Sequence, residues 1–242
     1  MPEVKIAKVT LSPDQFKPAD IPKLRGYLAR MLPQYEEIHN HTPDGKFRFV
    51  YPELQFKYID KIPVIIGHGR GIEILIKVFT EIGYLELNHR HIEIPEKSIE
   101  IFESELGESE KQQSYTFLTP WMALNQKNYE TIKGLKSEQK HQKLNRILWG
   151  NLRALAHAFN YWIPEPEKIH VNGNFRMKSS TFKGNTMVTF TGDFRINFHI
   201  PRYLGLGKQV ARGYGTVVKD GNVKSLSADE GSISKRQELR YK

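Results

Sequence analysis

Three consecutive residues, His39-Asn40-His41, carry the densest chemistry in this 242-residue chain. If the segment is extended, residues two apart project to the same face, so two imidazoles would stand side by side. That arrangement admits two chemistries. A His-x-His pair can hold zinc or another divalent ion, but no third histidine stands in an obvious sequence relation, although His89 and His91 repeat the spacing. Alternatively, an imidazole titrating near pH ~6.5 can accept or donate a proton at neutral pH, which makes the pair a candidate for general acid–base catalysis.

A second stretch suits close approach of another molecule's backbone. In Gly205-Leu206-Gly207-Lys208-Gln209-Val210-Ala211-Arg212-Gly213-Tyr214-Gly215, the glycines permit positive φ angles, and Lys208 and Arg212 put cations beside unobstructed N–H groups. Such a loop fits phosphodiester oxygens. It is neither common nucleotide loop, because no Gly-Lys-Ser/Thr follows at the required spacing and the glycines miss the Gly-x-Gly-x-x-Gly pattern. Charge points the same way. Residues 1–166 hold 22 Lys+Arg against 21 Asp+Glu, whereas residues 167–242 hold 14 against 6, so the formal +9 sits almost wholly in the last third. That excess implies a polyanionic partner, most simply a nucleic acid backbone, with salt-sensitive affinity. Arg176, Lys178, Lys183, Arg195, His199 and Arg202 are its candidate contacts. Residues 93–110 carry the opposite bias, seven Glu against one Lys, and read as a solvated helix or inter-domain connector.

The elements that must position these residues can be read from periodicity. Val4, Ile6 and Val9 suggest a first strand. Ile21, Leu24, Leu28 and Met31/Leu32 mark an amphipathic helix with Asp20 as N-cap, Pro22 in the first turn and Pro33 beyond the end. Residues 47–66, aromatic and β-branched, read as a hairpin broken at Asp60-Lys61. Ile72, Leu75, Ile76 and Phe79 give a second helix stopped at Gly83, and 84–94 returns as a strand that holds His89 and His91 at its surface. Strand, helix, hairpin, helix, strand is the ferredoxin-like βαββαβ order. The order recurs after the acidic connector: a strand at 114–121, a long helix over 144–159 with Trp149 and Trp162 packing at its flanks and His157 beside the core, then strands at 168–178 and 186–200. In the last of these Val188, Phe190, Phe194, Ile196, Phe198 and Ile200 share one parity, while Thr189, Thr191, Asp193, Arg195, Asn197 and His199 share the wet one. A final strand falls at 214–218. The chain therefore reads as α+β, two tandem ferredoxin-like (RRM-like) domains at 1–94 and 114–242 joined by the connector at 95–113.

Gly-Leu-Gly, five residues, then Gly-Tyr-Gly running into a last strand resembles the C-terminal signature of the repeat-associated (RAMP) superfamily. In particular it resembles the CRISPR repeat-processing endoribonucleases of the Cas six family. Ile38-His39-Asn40-His41 followed by Tyr51-Pro52-Glu53-Leu54-Gln55-Phe56-Lys57 is similar to the N-terminal domain of that family's b branch. The resemblance covers both ends of the chain and implies the tandem RAMP fold that the element order gives independently. It also implies metal-independent cleavage of precursor CRISPR RNA within repeats, in which the RNA's own 2′-hydroxyl attacks and the protein moves protons. On that expectation His39 and His41 are the acid–base pair, Tyr51 orients the scissile phosphate, and Lys46 or Arg30 offsets charge on the phosphorane. Gly205, Gly207, Lys208, Arg212, Gly213 and Gly215 join the basic face in holding RNA. No metal and no cofactor are expected. Two readings stay open beside this one: a non-catalytic RAMP subunit holding guide RNA in an effector complex, and a tRNA- or rRNA-handling ferredoxin-like protein. Other Cas effector subunits and a homodimer remain open as further partners.

Composition excludes other classes. The chain has no cysteine, so disulfides, thiolate metal sites and a Cys nucleophile are ruled out, which fits a reducing cytoplasm. No run of 18 apolar residues and no signal-peptide layout occur, so a membrane partner is not expected.

Overall fold

A computed structural model describes residues 2–39, 50–182, 185–220 and 239–241. The chain divides into two compact units. The first comprises residues 4–104 with 211–213 and the strand at 239–241; the second comprises 2–3, 105–210 and 214–220.

In the first unit, β1 (Glu3–Ser12), β2 (Leu54–Ile59) and β3 (Ile62–His68) are joined by helix α1 (Ile21–Met31) and a four-residue helix α2 (Glu36–His39). Helix α3 (Gly71–Glu81) follows, then a small hairpin of β4 (Tyr84–Leu87) and β5 (Arg90–Glu93), then β6 (Glu96–Glu105). The sheet runs β11-β6-β1-β3-β2, where β11 is Leu239–Tyr241. Setting β11 aside, the first, second, third and fourth strands of the βαββαβ order are β1, β2, β3 and β6, arranged 4-1-3-2 as a ferredoxin-like sheet requires. The hairpin turns where expected: Asp60 and Lys61 both have positive φ (51° and 65°), the signature of a two-residue type I′ turn.

Several expectations are corrected by this arrangement. The acidic stretch is not a helix or a structureless connector; residues 96–105 are the fourth strand of this sheet, with Ile99 buried and Lys8 Nζ 3.2 Å from Glu100. The segment 84–94 is not that strand but a separate hairpin, because Asn88 and His89 take positive φ (50° and 62°) and reverse the chain. Asp20 occupies the N-cap position of α1 as expected, but its side chain makes no capping bond; the carboxylate, 3% exposed, binds Lys23 and Arg90 at 2.8 Å each. The apolar face of α3 is also rotated from the expected phase: Ile74, Leu75, Val78 and Phe79 are buried while Ile76 is 43% exposed.

In the second unit, β7 (Gly107–Phe117), β8 (Val171–Phe182), β9 (Asn185–His199) and β10 (Val217–Lys219) form a sheet ordered β10-β7-β9-β8. This is again 4-1-3-2. Helices α4 (Gln126–Lys133) and α5 (Ser137–Ala158) connect β7 to β8, and Leu144, Leu148, Leu152, Leu155 and Ala156 form the buried face of α5. The sheet meets the core through an aromatic cluster: Phe117 stacks on Trp121 at 5.3 Å between centroids, Phe194 lies 5.3 Å from Phe117, and Phe175 lies 5.0 Å from Trp121. Trp121 Nε1 donates to Asn151 Oδ1 at 3.0 Å, which satisfies the one polar atom that this ring buries. The expected parity of β9 holds, with Phe190, Phe194, Ile196, Phe198 and Ile200 buried; the departure is on the other face, where Thr189 is buried too, its hydroxyl 2.8 Å from that of Ser180. Gly192 has φ +136° yet leaves the β8–β9 register unbroken, and a Cβ there would stand 1.9 Å from Asn174 O. Where a ferredoxin-like unit has its second crossover helix, this one has the glycine-rich segment with a single short turn of 3₁₀ helix at Val210–Arg212.

Candidate active site and nucleic-acid interface

The His-Asn-His segment begins at the end of α2. His39 is the last residue of that helix, so the expected extended backbone does not hold at this position. Asn40, His41 and Lys46 lie outside the described residues, as does Lys183. What anchors the segment is clear from the residues before it. Ile38 is buried, and its carbonyl accepts a hydrogen bond of 2.7 Å from Arg25 Nε on α1, which satisfies one of the orphan carbonyls at a helix C-terminus. Glu37 Oε1 is 2.8 Å from Arg70 Nη1.

Nothing in the sequence pattern singles out Arg25. Its guanidinium is pushed down to about 10, first by burial and then by the positive charge of Arg212 in the glycine-rich segment. Arg212, half-buried, is lowered too, by burial. The two guanidiniums are partly desolvated and within electrostatic range of each other. The tip Ala211–Gly213 belongs to the first unit, and a Cβ added at Gly213 would stand 3.0 Å from Phe56 O and 3.5 Å from Lys57 Cα. Lys57 is itself fully buried, and burial pushes its ammonium down to about 7.

Tyr51 is half-buried, and its ring lies 5.7 Å from that of His68. His68 is 3% exposed and Nε2 donates to Pro52 O at 3.2 Å; burial pushes its imidazole down to about 4, so it is neutral and acts as a fixed backing for Tyr51. Arg30 is exposed at the last turn of α1, five residues beyond Arg25 and so about 140° around the helix from it. The two arginines do not share a face.

The glycine-rich segment is tied into the fold by its backbone. Several of its N–H groups are used inside the fold: Leu206 donates to Gly215 O at 2.8 Å, Lys208 to Met122 O at 3.0 Å and Gly215 to Pro120 O at 2.9 Å, and just beyond it Thr216 donates to Thr119 Oγ1 at 2.9 Å. The glycines serve that packing. Gly207 has φ +98° and a Cβ there would lie 2.6 Å from Trp121 Nε1, while Gly215 has φ +67° and its Cβ would lie 2.0 Å from Leu206 O. Gly205 likewise abuts Val210 and Tyr214 O. Beside these the segment offers cationic side chains: Lys208 is exposed and Arg212 half-buried.

The β8–β9 register does gather part of the expected basic face. Arg176 pairs with Thr191, Lys178 with Thr189 and Asn172 with Arg195, which places Arg176, Lys178 and Arg195 on one side of the sheet, all exposed. His199 shares that parity but is occupied: Nδ1 is 2.8 Å from Glu105 Oε2, and burial together with Lys219 lowers its pKa against the pull of Glu105. Arg202 is half-buried and donates to Tyr203 Oη at 2.9 Å, with its guanidinium 4.9 Å from that ring. His91 is engaged by two carboxylates, Glu86 at 3.0 Å and Glu93 at 2.7 Å. Among the described residues no group of three or more His, Asp or Glu is placed to hold a metal, and no helix is long and apolar enough to cross a membrane.

Comparison with known proteins places this geometry. Residues 2–105 match the Cas6b N-terminal domain and residues 107–220 the Cas6b C-terminal domain. A crystal structure of Cas6b superimposes with a TM-score of 0.83 at 37% identity over 90% of this chain and 100% of that one. A second, of the CRISPR RNA processing endoribonuclease Cas6b, gives 0.73 at 33% identity over 90% and 100%. An uncharacterized protein of Methanocaldococcus jannaschii is 38% identical over 117 residues, 48% of this chain and 78% of its own length. With both domain models matched in chain order and the same strand arrangement in each unit, the chain belongs to the Cas6b family.

Proposed function

We propose that this protein is an endoribonuclease that binds the repeat of precursor CRISPR RNA and cuts within it by attack of the 2′-hydroxyl, without a metal. The observation that carries this reading is likeness along nearly the whole chain to a CRISPR RNA processing endoribonuclease of the same family. His39 and His41 exchange the protons: one takes the hydroxyl hydrogen and the other protonates the departing 5′-oxygen. Tyr51, backed by His68, orients the scissile phosphate. Arg30 and Lys46 supply charge, and we add Arg25 and Arg212, whose guanidiniums converge beside the end of α2 and would offset charge on the phosphorane. Arg176, Lys178, Arg195 and Lys208 hold the flanking RNA backbone.

The test is incubation of repeat RNA with the protein in EDTA. Cutting should persist, leave a cyclic or 3′-phosphate on the upstream product by mass analysis, and fail on RNA that carries a 2′-deoxy group at the scissile position. Replacing His39 and His41 by Ala should lower the rate by ~10²–10⁴ for each proton transfer removed. An absolute need for added metal overturns the mechanism. Tight binding with no cleavage in any condition would instead make the protein a guide-RNA-holding subunit.

A further inference from the structure

Helix α5 is strongly basic, although acidic residues elsewhere in 1–166 balance its charge. Within Ser137–Ala158 it carries Lys140, Lys143, Arg146 and Arg153 against Glu138 alone. At 100° per residue Lys143, Arg146, Gly150, Arg153 and His157 fall opposite the buried Leu144-Leu148-Leu152-Leu155 face. Arg146, Gly150 and Arg153 are exposed, and none of the three cations Lys143, Arg146 and Arg153 has an ion pair among the described residues.

Two further observations point to a ligand on this face. Gly150 sits mid-helix, where glycine is unfavourable, yet a Cβ there would meet nothing within 4 Å. No packing among the described residues explains it, whereas a backbone lying close against the helix would. Just beyond the helix, Trp162 is 73% exposed, contrary to the expected packing, and is backed by His157 at 4.3 Å between ring centroids. Tyr161, in edge contact with Phe198 at 6.0 Å, fixes the chain immediately before it. The result is a braced aromatic platform at the end of a cationic stripe.

We propose that this face is a second RNA site: a single strand lays phosphates along Lys143, Arg146 and Arg153, passes close over Gly150, and stacks one base on Trp162. Cations with no ion pair among the described residues select a polyanion, and an exposed aromatic at the end of their row suits a stacked base. Arg146 to Arg153 spans about 10 Å along the axis, enough for successive phosphates. The inference rests on the reading that the chain binds repeat RNA.

The experiment measures repeat-RNA affinity of the full chain by fluorescence anisotropy over a salt series. Arg146→Gln with Arg153→Gln should reduce the slope of log K against log salt by about 1.4, or ~0.7 for each phosphate no longer neutralised. Trp162→Ala should weaken binding about ten-fold. Gly150→Leu should weaken it as well while thermal stability holds or rises, a combination that a structural role for Gly150 would not give. Wild-type binding and cleavage with unchanged affinity and slope in all three variants overturns this site alone. Loss of binding to an acidic protein partner with unchanged RNA affinity also overturns it. Failure of the wild type to bind repeat RNA overturns the functional reading first.

Discussion

The two units complete the same strand order by different means. The first returns from its third strand through α3, a helix that satisfies its own backbone and contributes Ile74, Leu75, Val78 and Phe79 to the core. The second returns through residues 200–216, where N–H groups must find carbonyls one by one at Pro120, Met122 and Gly215. A helix would have spread its side chains over a long surface. The irregular path instead brings Lys208 and Arg212 to a short turn, with positions where only glycine fits. The comparison teaches that this connection trades tolerance of substitution for placement of charge.

The largest way to break that comparison is Gly215→Ala. With φ +67° and the new Cβ 2.0 Å from Leu206 O, it should cost on the order of 3 kcal/mol and lower Tm by about 10 °C. An unchanged melting curve would show that the connection is not so constrained. On the helical side, Val78→Ala should cost roughly 2 kcal/mol, whereas Ile76→Ala, on the outward face, should stay within about 0.5 kcal/mol by denaturant titration. Lys57 sharpens the contrast, because Gly213 passes over its backbone. Its ammonium titrates near 7 in the fold against 10.5 ordinarily, so between those values the unfolded chain binds more protons and stability rises with pH. Lys57→Met should flatten that rise; parallel pH curves for both proteins would refute the assignment. The smallest effect belongs to the β4–β5 hairpin that extends the helical crossover. There both ring nitrogens of His91 face carboxylates, which raises its pKa. Stability from this contact is present below the ordinary 6.5 and lost as pH rises through the folded value. The difference between wild type and His91→Gln should therefore shrink towards alkaline pH.

What could be read from the sequence was local. The period of α1, the Asp60-Lys61 turn and the alternation of β9 each lie within one element, and each is present. The fourth strand escaped because Glu96–Glu105 has little apolar pattern, and its pairing with β1 is fixed by distant partners. The Asn88-His89 reversal escaped because neither residue is the glycine that positive φ usually signals. Within α3, Ile72, Ile74, Leu75, Ile76 and Val78 are all apolar, so composition could not set the phase. At the candidate site, His39, Tyr51 and the glycine-rich signature were legible as strings. Arg25 and His68 were not, because their meaning lies in contacts with Ile38 and Pro52, 13 and 16 residues away.

Strand β11 carries one more consequence. Leu239, Arg240 and Tyr241 pair with Ile99, Ser98 and Lys97, so part of the outer edge of β6 is covered by a short strand of the same chain. A bare rim would present unsatisfied amides to any passing strand. Trimming those three residues should leave each unit folded yet render the protein prone to sticking to itself.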